Sequence, residues 1–193
     1  VTLSTPALVR AIAGNQLLFF GLIIAELGVV MYLSTAIQRM SVQTATAVFV
    51  GYSALNGLTL SIVFLAFTAE SLVSTFLVTA GTFSVVSVWG YVTKTDLTSL
   101  GNLFFMGLLG FILASVVNMF LRSEAIYWIT TYLGIAIFVG LIAYDTQKLK
   151  HMSSAGGRGE AIGRKVAIMG ALSLYLDFIN LFLLLLRLFG RRR

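Results

Sequence analysis

Met169-Gly-Ala-Leu-Ser-Leu-Tyr-Leu-Asp-Phe-Ile-Asn-Leu-Phe-Leu-Leu-Leu-Leu-Arg-Leu-Phe-Gly190 is apolar enough to sit in lipid, yet it carries Asp177 and Asn180 near its centre. At about 100° per residue, Ser173, Asp177, Asn180 and Arg187 fall within a helical stripe of roughly 80°. Leu, Phe and Ile occupy the remaining faces. A carboxylate at the bilayer centre costs at least ~2.5 kcal/mol, so this stripe should face protein or water and not hydrocarbon. A helix of this kind belongs inside a bundle.

Composition agrees with that placement. Hydrophobic residues make up 59% of the 193 and charged ones 10%, far from the balance of a soluble domain. One transmembrane helical domain over residues 1–193 is expected. Without cysteine there are neither disulfides nor thiolate metal sites. The net charge of +6 does not indicate nucleic acid, because the basic residues cluster at the ends of apolar runs.

Working outward, five further runs approach the ~20 residues needed to cross a bilayer. They cover about 16–37, 45–67, 72–92, 100–121 and 125–148, each of them approximate at its ends. The first contains one charge, Glu26, and the second a face of Ser53, Asn56, Gly57 and Ser61. Residues 1–15 read as a loop or a short interfacial helix. The stretch from His151 to Lys165, with Ser153-Ser154-Ala155-Gly156-Gly157, reads as a flexible loop. The other connections are short, so consecutive helices should be antiparallel neighbours. The fold class is therefore all-α, a polytopic membrane bundle of six spans.

The basic residues set an orientation. Arg39, Lys94, Lys148, Lys150, Arg158, Arg164 and Lys165 follow the first, third and fifth spans, against Arg10, Arg122 and Arg191 to Arg193 on the other side. The richer side is placed in the cytoplasm. The Arg tail lies opposite if the last helix crosses fully, and on the same side if that helix re-enters.

Asp145, near the end of the fifth span, and Asp177, in the sixth, can meet at similar depth, roughly 10 Å below the cytoplasmic surface, if both helices run slightly longer than these limits. Two carboxyl groups in contact in a dry site cannot both ionise cheaply, so they share one proton. Such a pair can act as a pH switch and a transient cation ligand. A structural hydrogen-bond role is the plainer alternative for each. Glu26 reads equally as a pathway residue or a helix–helix contact. Asn56 and Asn118 read as packing groups, and His151 as a solvated loop residue. Gly156-Gly157-Arg158-Gly159 falls short of a phosphate loop. No nucleophile elbow and no His partner are present, so an enzyme is not expected.

The last helix, from Ala171-Leu-Ser-Leu-Tyr-Leu-Asp-Phe-Ile-Asn-Leu-Phe182 to Leu-Leu-Arg-Leu-Phe-Gly190, resembles the signature helix of the Bax inhibitor motif family of membrane proteins. Ala143-Tyr-Asp-Thr-Gln-Lys148 resembles the family's penultimate-helix motif, and Gly57-Leu-Thr-Leu-Ser61, Lys94-Thr-Asp-Leu97 and the Asn118 region also fit. The resemblance implies seven helices, two three-helix layers around a central last helix, and a pH-sensitive calcium leak channel of the bacterial inner membrane. It puts the family's paired aspartates at Asp145 and Asp177 and its early acidic residue at Glu26. Glu26 and Asn180 are the candidates for lining the pathway or attracting cations. Val1 falls in the loop after the family's first helix, so that helix is expected to be missing. The basic residue that latches the pair in some members has no match in place, Arg39 being merely nearby. No cofactor is expected to be permanently bound; calcium would be the permeant ion. The expected partners are the lipid bilayer, calcium ions, protons, and a membrane protease or other membrane protein. A proton-coupled exchanger and a non-transporting regulator of a membrane protease are the alternative functions.

Overall fold

The computed structural model describes residues 15–154 and 160–192; residues 1–14, where the interfacial segment is expected, lie outside them. Six α-helices follow one another: α1 (Gln16–Ala36), α2 (Val42–Ala66), α3 (Ala69–Val92), α4 (Thr98–Leu121), α5 (Glu124–Ser154) and α6 (Glu160–Phe189), with a 3-10 turn at Ile37–Arg39. Among the described residues there is no strand beyond an isolated bridge between Phe67 and Arg192. The helices α2 to α6 are long and apolar enough to cross a membrane, while α1 offers the shorter apolar stretch Gly21–Ala36.

Their outer surfaces are what lipid requires. Met106, Leu113 and Phe120 of α4 are exposed, Phe120 to 77%, with Val85, Val88 and Trp89 of α3. A soluble protein does not expose apolar side chains along whole helices, whereas hydrocarbon solvates them at no cost. Along α4, the only buried residue is Gly101.

Helix limits follow local chemistry. Ser41 caps α2, its Oγ accepting from Thr44 N at 3.1 Å, which starts the helix three residues before the apolar run suggests. Between α4 and α5, Arg122 takes the left-handed conformation (φ 51°). There Asn118 Oδ1 accepts from Ser123 N at 2.8 Å, so Asn118 holds the turn. The segment expected as a long loop from His151 to Lys165 is largely helical, with α5 reaching Ser154 and α6 starting at Glu160. Serines and lone glycines there are tolerated because they extend helices already nucleated by long apolar runs.

The described residues form two compact units. In the first, which runs to Ala69 and includes the start of α6 and Arg191, α1 meets α2 through polar groups, with Leu33, Ile37, Ala45, Tyr52 and Leu60 buried. Thr68 N donates to Arg191 O at 3.1 Å. The chain beyond α6 thus lies beside the α2–α3 connection. The uninterrupted α6 has no turn on which to re-enter.

The second unit holds α3, α4, α5 and α6 from Gly170. Its core is Ile137, Phe138, Leu141 and Ile142 of α5 with Leu181, Leu184 and Leu185 of α6. Phe83 and Val86 of α3 and Phe104, Leu108 and Phe111 of α4 pack against it. Phe83 and Phe76 of α3 meet Phe178 edge to face at 5.5 and 5.6 Å. Helices α4 and α5 run antiparallel, since Gly101 lies against Tyr144, Gly107 against Ile137, and Phe111 against Gly134.

Tight backbone approach distinguishes one glycine from another. A Cβ at Gly90 would collide with the backbone of Ala143, whereas at Gly110 it would meet nothing within 4 Å. Gly90→Ala should cost about 1–3 kcal/mol through overpacking, and Gly110→Ala should be neutral or slightly stabilising. Thermal unfolding of the two variants in the same detergent checks the contrast.

Candidate functional site: a buried carboxyl pair

Helices α5 and α6 are antiparallel along the second unit. Leu149 seats against Gly170 at one end and Leu184 against Gly134 at the other, where a Cβ would sit 2.9 Å from Leu184 Cδ1. Beyond that, Arg187 donates to Thr131 Oγ1 at 3.4 Å and its guanidinium lies over the Tyr127 ring at 4.6 Å. The two sockets are fifteen residues apart on α5 and fourteen on α6, each about 21–23 Å of helix. This register brings Asp145 and Asp177 together between the sockets, with their carboxyl groups within hydrogen-bonding reach.

Asp177 is 5% exposed and Asp145 half-buried. Among the described residues no donor bonds to Asp177 Oδ2. Two carboxylates are acceptors only, so a bond between them exists only when one carries a proton. Lys148, one turn along α5, is the cation acting on Asp145. Its ammonium lies 5.7 Å from the Tyr144 ring centroid. Among the described residues no group of three or more His, Cys, Asp or Glu side chains gathers, so a cation arriving here would meet two carboxyl groups and not a complete cage.

Glu26 sits in the first unit. It is 9% exposed, and each carboxylate oxygen is engaged by α2: Oε2 by Asn56 Nδ2 at 3.3 Å and Oε1 by the Thr59 hydroxyl. Asn56 also lies 3.5 Å from the Tyr52 hydroxyl. The residues of α2 that bond Glu26 are therefore Asn56 and Thr59, with Tyr52 accepting from Asn56 on the same face. Ser53 and Ser61 instead bond to the carbonyls of Phe49 and Leu58. The spacing 52, 56, 59 carries this face, and grouping every small polar residue together obscures it.

Asn180 donates to the carbonyl of Leu176 on its own helix at 2.8 Å. Arg39 is exposed at the end of the 3-10 turn in the first unit, and His151 is exposed near the end of α5. Between α3 and α4, Asp96 Oδ1 accepts from Thr98 N at 2.9 Å. Bonds from the Thr98 side chain and amide hold this exposed carboxyl below the usual aspartate range. Its support of the loop is thus complete above the ordinary aspartate range and lost as pH falls through the lowered value.

Sequence reasoning did not find Gln147. It is 4% exposed and bonded twice to the α3–α4 connection. The signal was available, since Gln147 stands in the Tyr-Asp-Thr-Gln-Lys run on an otherwise apolar helix.

For Glu26, truncation leaves the Asn56 amide and Thr59 hydroxyl without their buried acceptor. Glu26→Ala should lose about 1–3 kcal/mol, read as a lowered unfolding temperature, and Glu26→Gln less, because it keeps one acceptor oxygen.

Comparison with known proteins places these features. The family described as "Inhibitor of apoptosis-promoting Bax1" matches residues 1–193. The inner membrane protein YbhL of Escherichia coli is 52% identical over 191 residues, covering 98% of this chain and 82% of that one. A Borreliella burgdorferi protein is 47% identical over 182 residues, 94% of this chain and 78% of the other. A membrane protein of Streptococcus pyogenes is 36% identical over 184 residues, 95% and 79% respectively.

Proposed function

The chain belongs to the Bax inhibitor family of membrane proteins, and from that footing we propose that it is a pH-sensitive cation leak channel, with calcium as the permeant ion and Asp145 and Asp177 as its proton-sensing gate. The bacterial inner membrane is its proposed location, as the name of the Escherichia coli relative states for that protein. The observation that carries this reading is the meeting of two carboxyl groups, one of them buried, across antiparallel membrane-crossing helices.

Sharing one proton, the pair is a brace between α5 and α6. Losing it leaves two like charges in a medium that screens them poorly, which favours separation of the helices or entry of a cation between them. Oxygen ligands suit calcium. A proton worth about 1.4 kcal/mol per pH unit is enough to move a two-state helix pair by tenfold per unit. The braced arrangement is the closed one, because it joins the two helices at the mouth nearer the end of α5. Glu26, buried and bonded to α2 through both carboxyl oxygens, supports the packing of the first unit. The protein acts by conduction and not as an enzyme.

Calcium flux into proteoliposomes, followed from acid to alkaline pH, tests this. Asp145→Asn and Asp177→Asn should each flatten the pH dependence. The double change should add less than about twofold, since one unit is being removed. Stoichiometric proton counterflow would make the protein an exchanger. A partner effect surviving both replacements, with no flux in the parent chain, would make it a regulator.

A further inference from the structure

The amide of Gln147 makes two opposed bonds to the connection between α3 and α4. Its Oε1 accepts from Leu97 N at 2.9 Å and its Nε2 donates to Thr95 O at 2.8 Å. Turning the amide over would set donor against donor and acceptor against acceptor, so one orientation is fixed. Gln147 is two residues past Asp145, about 3 Å along α5 and about 200° around it. One face of α5 thus presents a carboxyl to α6 while the opposite face grips the connection.

Other contacts strengthen that second face. Ala143 lies backbone to backbone against Gly90, and Tyr144 covers Gly101. Lys150 Nζ donates to Tyr91 O at 2.6 Å and lies over the Tyr91 ring at 4.9 Å. Towards α6, the same part of α5 has the socket of Leu149 and the carboxyl pair.

We propose that Gln147 is the positioning residue of the aspartate pair, fixing Asp145 against the α3–α4 connection so that a change of protonation moves α6 away from α5 instead of letting α5 follow. This rests on the reading of the pair as a proton-sensing gate. Among the described residues the charged groups acting on the pair are few. Asp145 faces Asp177 from α6 and Lys148 from its own helix. Helix α4 has no ionisable residue among Asp, Glu, Lys, Arg and His, and α3 has only Glu70, in its first turn. The connection carries exposed Lys94 and Asp96, with His151 acting on Asp96.

The test uses the whole chain in proteoliposomes, with Gln147→Leu, Gln147→Glu, calcium flux against pH, and amide hydrogen exchange at Leu97. Gln147→Leu removes both bonds at similar size. It should speed exchange at Leu97 by about tenfold and shift the midpoint of the flux profile by about one pH unit, a tenfold change in proton activity. Gln147→Glu can donate to Thr95 O only when protonated. Its profile should meet the parent's at acid pH and depart from it at alkaline pH. A folded Gln147→Leu protein with scaled flux but an unmoved midpoint would reduce Gln147 to general support and overturn the proposal. If the leucine variant does not fold, the glutamate variant decides: displacement by the same amount at every pH overturns the proposal equally. A parent chain with flat flux overturns it together with the reading of the pair. Leu97 exchange that still depends on Gln147 would then mark the failure as one of function and not of the clamp.

Discussion

The second unit depends on the register between α5 and α6. Two leucines seat against two glycines, Leu149 on Gly170 and Leu184 on Gly134, and the intervals between the sockets match on the two helices. Between helices in lipid there is little hydrophobic drive, so association rests on close van der Waals fit, which glycine permits by letting a neighbour approach the backbone. Sliding by one turn would unseat both leucines and carry Asp145 about 5.4 Å past Asp177. The close fit therefore fixes the chemistry, and the pair of carboxyl groups inherits its alignment from apolar packing.

Much of this architecture is legible in the residues. Long apolar runs define their own helices, because a backbone in hydrocarbon must satisfy its hydrogen bonds internally. The polar stripe of the last helix points inward for the same reason, and Asp177 is buried. The juxtaposition of Asp145 with Asp177 was expected from their similar depth on two helices joined by one loop. Helix ends were less so. The stretch 151–165 is polar and rich in serine and glycine, yet α5 and α6 run into it from both sides. Composition there competes with propagation from a formed helix, and propagation prevails. The alternative of a re-entrant last helix was open to charge counting alone. The structure adds that α6 is one unbroken helix and that Arg191 lies beside the α2–α3 connection.

Side-chain partners were the least legible. Asn118, read as a packing residue, holds a tight turn, and the α2 residues around Asn56 engage Glu26 through a face that includes Thr59. The Tyr-Asp-Thr-Gln-Lys run reads in one dimension as a single motif. In three dimensions successive members point to different neighbours: Tyr144 to α4, Asp145 to α6 and Gln147 to the α3–α4 connection. A helix turning about 100° per residue distributes adjacent residues in this way. A contiguous motif on a helix is for that reason a hub of contacts more readily than a single binding surface.

The exposure of α4 bears on how such a chain can change over generations. Apart from Gly101, which must stay small beneath Tyr144, Asn118, which holds the turn into α5, and Phe104, Leu108 and Phe111, which pack on the core, its side chains mostly face outward. Hydrocarbon makes no demand on shape, and one aliphatic side chain serves it about as well as another. Most of α4 is consequently free to drift among Leu, Ile, Val, Phe and Met, with selection acting on greasiness and not on identity. Helix α6 has no such latitude, because its polar stripe and its leucine socket must both survive each substitution. Divergence should accumulate on the lipid-facing rim and leave the last helix nearly still, an asymmetry set by which helix the solvent can reach.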